Sequence, residues 1–151
     1  MLGDHSQGQN HKVTCLSTRL IEKLEKIQQV LEALVEESAR KIPIVVEGKK
    51  DVEALRQFGV TGPMLCLKTG GKSFDDALYE IEQTGVQEII LLLDFDRRGR
   101  EGTKLLKQNL ERAHIVPNMA FWQSLSALLA RDVQCIESLS AYVKTLKQKA
   151  M

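Results

Sequence analysis

Asp94-Phe95-Asp96 directly follows the apolar run Ile89-Ile90-Leu91-Leu92-Leu93, so two carboxylates stand at the end of a segment whose composition predicts a buried strand. Open α/β sheets bind ligands outside the carboxyl ends of their strands. Two like charges one residue apart repel unless a cation or a basic ligand compensates them. Magnesium suits that role, with manganese as the alternative, because it prefers hard carboxylate oxygens and shares its shell with waters and substrate phosphates. A second acidic strand end lies upstream. The β-branched run Ile44-Val45-Val46 ends in Glu47-Gly48, followed by Lys49-Lys50-Asp51 and the helical pattern Val52, Ala54, Leu55, Phe58. Gly48 permits a tight turn or close backbone approach to a ligand, and Asp51 is expected to cap the next helix. If the two strands are parallel neighbours, Glu47, Asp94 and Asp96 share one edge. Each carboxylate alone could be no more than a helix cap. Two acidic strand ends in one small domain, each flanked by basic residues, favour a site.

The basic residues are grouped. Lys49 and Lys50 follow the first acidic end, Lys68 and Lys72 bracket the loop after the second strand, and Arg97, Arg98, Arg100 and Lys104 follow the third. Solvated loop lysines and arginines would explain each residue singly but not the grouping. A basic rim around an acidic centre suits a polyanion whose phosphates meet a metal. The formal net charge of only +1 argues against a chain that coats nucleic acid over its whole surface.

A chain of 151 residues is long enough for one domain with a real core. Residues 1 to 15 are polar and without apolar periodicity, which predicts a disordered tail; residues 16–151 are read as a single domain. An amphipathic helix is expected over 18–40, with Leu20, Leu24, Ile27, Leu31 and Leu34 on one face. The pattern lasts about two heptads, short of a coiled coil, so docking on the sheet is expected, with dimerisation or a larger assembly left open. From Ile42 the pattern alternates strand and helix, which predicts a parallel sheet covered on both faces. Strands are expected at 42–46, 64–67, 88–93 and 114–116, and helices at 51–58, 73–84 and 99–113. Two further helices follow Pro117, within 121–147. Trp122 reads as a core residue rather than a base-stacking platform.

Cys15, Cys66 and Cys135 lack metal-ligand spacing and read as free thiols. With no apolar run long enough for a membrane span and no signal-peptide pattern, a cytoplasmic protein without membrane association is expected. Gly70-Gly71-Lys72-Ser73 looks like the end of a P-loop, but that pattern needs a glycine five residues before Gly71, where Cys66 stands. The paired aspartates of haloacid-dehalogenase-like phosphatases are followed by a threonine or valine; here Arg97 and Arg98 follow.

The segments Val45-Val46-Glu47-Gly48-Lys49-Lys50-Asp51-Val52-Glu53-Ala54-Leu55 and Leu92-Leu93-Asp94-Phe95-Asp96-Arg97-Arg98-Gly99 resemble, in kind, order and separation, the two motifs of the Toprim domain. That domain is shared by topoisomerases, DnaG-type primases, OLD-family nucleases, recombination mediator proteins and small-ribosomal-RNA maturation nucleases. The chain most resembles the small stand-alone Toprim proteins of archaea and bacteria. The resemblance implies a Rossmann-like, four-stranded parallel sheet with helices on both faces, extended by the N-terminal amphipathic helix and the C-terminal helices. It implies Glu47 as the catalytic glutamate, which also completes the metal shell, and Asp94 and Asp96 as the metal-binding pair. It further implies Mg2+ as cofactor, RNA or DNA as partner, and phosphodiester chemistry of a nuclease-like or primase-like kind. Lys49, Lys68, Lys72, Arg97, Arg98 and Arg100 are then the phosphate contacts. The alternative is a non-catalytic Toprim module that binds nucleic acid or acts as a scaffold in RNA processing or DNA repair. Type IA topoisomerases carry a further glutamate shortly after the aspartate pair; Arg98 and Arg100 lie there instead, which argues against a two-metal set.

Overall fold

The computed structural model describes residues 3–68 and 73–150, with side chains from residue 18 onward. The elements run α1 (Gly3–Ala39), β1 (Ile44–Val46), α2 (Lys49–Gln57), β2 (Met64–Cys66), α3 (Phe74–Gln83), β3 (Glu88–Leu91), α4 (Arg97–Arg112), β4 (Val116–Asn118), α5 (Ala120–Leu129) and α6 (Leu139–Ala150), with a 3-10 turn at Ile136–Ser138 leading into α6. The four strands form one sheet in the order β2-β1-β3-β4, and every neighbouring pair is parallel. This is the α/β architecture that strand and helix alternation predicts, with all carboxyl ends on one edge.

The alternation of side chains along each strand divides the core. Ile44, Val46, Ile90 and Leu92 face one layer, where they meet Ile27, Leu31 and Leu34 of α1, Leu55 of α2, Leu125 and Leu129 of α5, and Val143 and Leu146 of α6. Val45, Ile89, Leu91 and Leu93 face the other, against Ile81 of α3 and Leu106 and Leu110 of α4. The central strands β1 and β3 are covered on both sides, which is why they read as unbroken apolar runs rather than as alternating ones.

Three of the differences from expectation have a physical reason in the sequence or the sheet order. The helix expected from residue 18 starts at Gly3, so the described part of the segment read as a disordered tail, residues 3–15, continues the helix; it contains no proline, and extending a formed helix costs far less than nucleating one. Asp51 is not the N-cap of α2. Gly48 is, and Asp51, at the third helical position, accepts the Gly48 N–H through Oδ2 at 3.0 Å. The fourth strand lies at 116–118 and includes Pro117, rather than at the expected 114–116. Proline is tolerated on an edge strand, and β4 is the sheet edge, with the Val116 N–H given to Gln87 O at 2.7 Å.

Phe95 departs from its acidic neighbours. It is 1% exposed and packs into the layer beneath α1 and α5, so the alternation that sends Phe95 inward turns Asp94 and Asp96 outward. Phe95→Ala is expected to lower the unfolding free energy by about 3–5 kcal/mol, measured by urea denaturation. Leu105→Ala, at a position 48% exposed, is expected to change it by about 0.5 kcal/mol or less; equal effects would contradict this division of the core.

Candidate acidic site at the carboxyl edge of the sheet

The register aligns Val45 with Leu91, so Glu47 and Asp94 leave adjacent strands at the same edge. Their carboxyl groups come within hydrogen-bonding reach of each other, a contact that favours the protonated form of Asp94. Asp94 is half-buried and is pushed up to about 8, first by burial, then by the hydrogen bond to Glu47 and its negative charge. The Ile136 N–H, donated to Asp94 Oδ1 at 3.2 Å, opposes that rise, and Asp51 adds a smaller push upward. Glu47 is tied to Lys68 twice. The Lys68 N–H donates to the Glu47 carbonyl at 3.0 Å, and the Lys68 ammonium lies 3.4 Å from Glu47 Oε2.

Asp51 is 5% exposed. Burial raises its carboxyl above the usual range against the Gly48 N–H, and the charges of Glu137 and Glu47 add to the rise, while the Glu137 N–H stabilises the carboxylate. The turn at Ile136–Ser138 therefore gives backbone N–H groups to two acidic side chains. Two residues before that turn, Gln134 O accepts the Phe95 N–H at 2.7 Å.

Asp96 takes a different part. It is the N-cap of α4, with Oδ1 accepting the Gly99 N–H at 2.8 Å. Among the described residues, no group of three or more His, Cys, Asp or Glu side chains is gathered closely enough to hold a metal ion. The structure thus brings Glu47 and Asp94 together and leaves Asp96 on its own helix. The two-carboxylate pair still fits magnesium, which typically takes one or two carboxylates and fills its shell with water and substrate phosphate. Gly99 has a steric role, because a Cβ there would collide with the Asp94 carbonyl.

Lys49, Lys50, Lys68, Arg97, Arg98 and Arg100 are all exposed on the loops and helix starts of this edge. Arg97 Nε donates to Glu101 Oε1 at 3.1 Å. Lys72 lies outside the described residues. Sequence reasoning missed Gln134 and Ile136 and, at Trp122, which packs against the core as expected, the partner of the indole N–H. The first two act through backbone groups, which leave no signature in residue type. Trp122 carried a usable signal, since an indole N–H normally finds a partner when buried; it donates to Leu93 O at 2.9 Å.

The Toprim domain model matches residues 42–122, more than half of the chain. The chain belongs to the Toprim family. Among its relatives, the UPF0292 protein of Methanocaldococcus jannaschii is 37% identical over 123 residues, covering 81% of this chain and 93% of that one. The UPF0292 protein of Methanosarcina barkeri is 32% identical, covering 84% and 87%. A solved structure of a protein from Aquifex aeolicus superposes with a TM-score of 0.60 over 73% of this chain and 94% of that one, at 24% identity, a likeness of fold. Toprim domains are associated with metal-dependent chemistry on nucleic acids and generally bind Mg2+. Among the described residues, no helix of this Toprim protein is long and apolar enough to cross a membrane.

The raised Asp94 carboxyl has a measurable sign. The folded chain keeps a proton that the unfolded chain, with an ordinary value of 3.8, has released. The stabilisation is complete below about pH 4 and is lost as pH rises through about 8. Asp94→Asn, which keeps the shape without the charge, is expected to flatten the decline in Tm between about pH 5 and 8. Parallel Tm profiles of the two proteins across that window would contradict a proton held at Asp94.

Proposed function

We propose that this Toprim protein cleaves nucleic-acid phosphodiester bonds in a Mg2+-dependent reaction, with Mn2+ as a substitute. The observation that carries the reading is the Glu47–Asp94 pair, two carboxyl groups brought together at the carboxyl edge of a parallel sheet, with exposed lysines and arginines on the loops and helix starts of the same edge. A divalent cation bound there would polarise the scissile phosphate and offset its developing charge. Asp94, on loss of its proton, and Glu47 would supply carboxylate oxygens. Asp96, engaged through Oδ1 at the start of α4, would complete the acidic face. Glu47, held in place by Lys68, would relay a proton to the leaving oxygen or from the attacking water. Lys49, Lys68, Arg97, Arg98 and Arg100, joined by Lys72, would position phosphates without reading sequence.

A second reading is a non-catalytic Toprim module that binds nucleic acid within an RNA-processing or DNA-repair assembly. It is favoured by the engagement of Asp96 as a helix cap, which leaves two carboxylates rather than three at the centre.

Glu47→Gln separates the two readings, because it keeps size and hydrogen-bonding capacity and removes the exchangeable proton. A nuclease is expected to lose roughly a hundredfold or more in cleavage rate while nucleic-acid affinity stays within a small factor. Wild-type protein that cuts neither RNA nor DNA, single-stranded, duplex or structured, in magnesium or manganese, would sink the nuclease reading and leave the binding module. Cleavage that survives in Glu47→Gln would reassign the proton relay.

Neutralising Arg97 and Arg98 together addresses the basic rim. Binding is expected to weaken across all sequences, and the slope of log affinity against log salt to fall by about one to two units, one per lost phosphate contact. An unchanged slope would assign these arginines to the fold or to another ligand.

A further inference from the structure

Trp122, the chain's one tryptophan, stands in the first turn of α5. Its Nε1–H donates to Leu93 O at 2.9 Å and, more weakly, to Asp94 O at 3.4 Å. These carbonyls belong to the two peptide groups that flank the Asp94 Cα. The ring lies beside Phe95, with centroids 6.4 Å apart and planes inclined by 36°. Strand pairing is ending at this point: Leu92 still gives its N–H to Val45 O at 2.9 Å, while Leu93 is 1% exposed. A buried carbonyl left without a donor carries its full desolvation cost. The indole supplies that donor.

The Asp94 backbone is constrained from a second direction by α4, whose Gly99 sits so close to the Asp94 carbonyl that a Cβ would collide with it. Held between α4 and α5, the main chain leaves the sheet along a path that brings the Asp94 carboxyl to Glu47. Packing against Phe95 needs only an aromatic ring. The placement of the N–H on both flanking carbonyls is a feature that packing alone does not require.

We propose that Trp122 is a positioning residue for the acidic pair: its indole N–H fixes the backbone of Asp94 and so sets the approach of Asp94 to Glu47. This rests on the reading of that pair as a divalent-cation site.

The test replaces Trp122 with 3-benzothienylalanine, which keeps the bicyclic shape and puts sulfur in place of N–H, and compares it with 5-fluorotryptophan, which keeps the donor. Affinity for Mn2+ alone is measured from the electron paramagnetic resonance of the free ion, beside thermal unfolding. The benzothienyl protein is expected to bind Mn2+ about three- to tenfold more weakly, the scale of one hydrogen bond, and the fluorotryptophan protein to match the wild type. A second readout needs no substitution: the indole 15N–H resonance of the wild-type chain is expected to shift as Mg2+ is added. Wild-type protein that binds Mn2+ while the benzothienyl protein binds it equally well, or an indole resonance that stays fixed through a saturating Mg2+ titration, would reduce Trp122 to packing and leave the site reading intact. Wild-type protein that binds neither ion would overturn the site reading and this inference with it.

Discussion

Two carboxylates that meet at the ends of adjacent parallel strands set the terms for the rest of this molecule. Glu47 and Asp94 come together because β1 and β3 are neighbours in register at the centre of the sheet, and that centre is fixed by apolar layers on both faces. Neither strand can slip by one residue without sending each of its side chains into the opposite core layer, where the packing is built for a different set. The acidic contact is therefore imposed by the fold rather than chosen by two flexible side chains. Its electrostatic cost is carried by the surrounding structure.

The compensations are individually small. Lys68 lies 3.4 Å from Glu47, but its side chain is 55% exposed, and ion pairs with so much water access contribute about 0–1 kcal/mol. The Ile136 N–H gives Asp94 one hydrogen bond, and the Glu137 N–H does the same for Asp51. Together they leave Asp94 still holding its proton near neutral pH. A site whose resting state keeps a proton because burial and the neighbouring Glu47 disfavour the charge is suited to exchange that proton for a cation. The exposed lysines and arginines on the same edge then serve the charge of an incoming polyanion, which a cation on the carboxylates would help to hold.

The parts that were legible in the sequence are those that depend on residue type along short stretches. The runs Ile44-Val45-Val46 and Ile89 to Leu93 announced central strands, and Glu47-Gly48 and Asp94-Phe95-Asp96 announced what stands at their ends. The parts that were not legible depend on backbone groups or on competition for one side chain. The tie from Gln134 and Ile136 to the site uses main-chain atoms that any residue would offer. Asp96 was equally suited to a metal and to a helix N-terminus, and only the placement of α4 directs it to Gly99. Asp51 and Gly48 exchanged roles because a carboxylate at the third helical position can reach back to the N-cap amide. Pro117 misled because edge position, which makes proline harmless in a strand, is a property of the sheet order.

The central claim, that a proton held on Asp94 beside Glu47 takes the place of a divalent cation, is tested most directly by counting protons. Titration calorimetry of Mn2+ or Mg2+ into the wild-type chain at neutral pH, repeated in buffers of different ionisation enthalpy, gives the number released per ion bound. Release of about one proton per cation is the expected result, since carboxylate ligands must be deprotonated to bind. Cation binding with no proton released, or no binding at all, would contradict it.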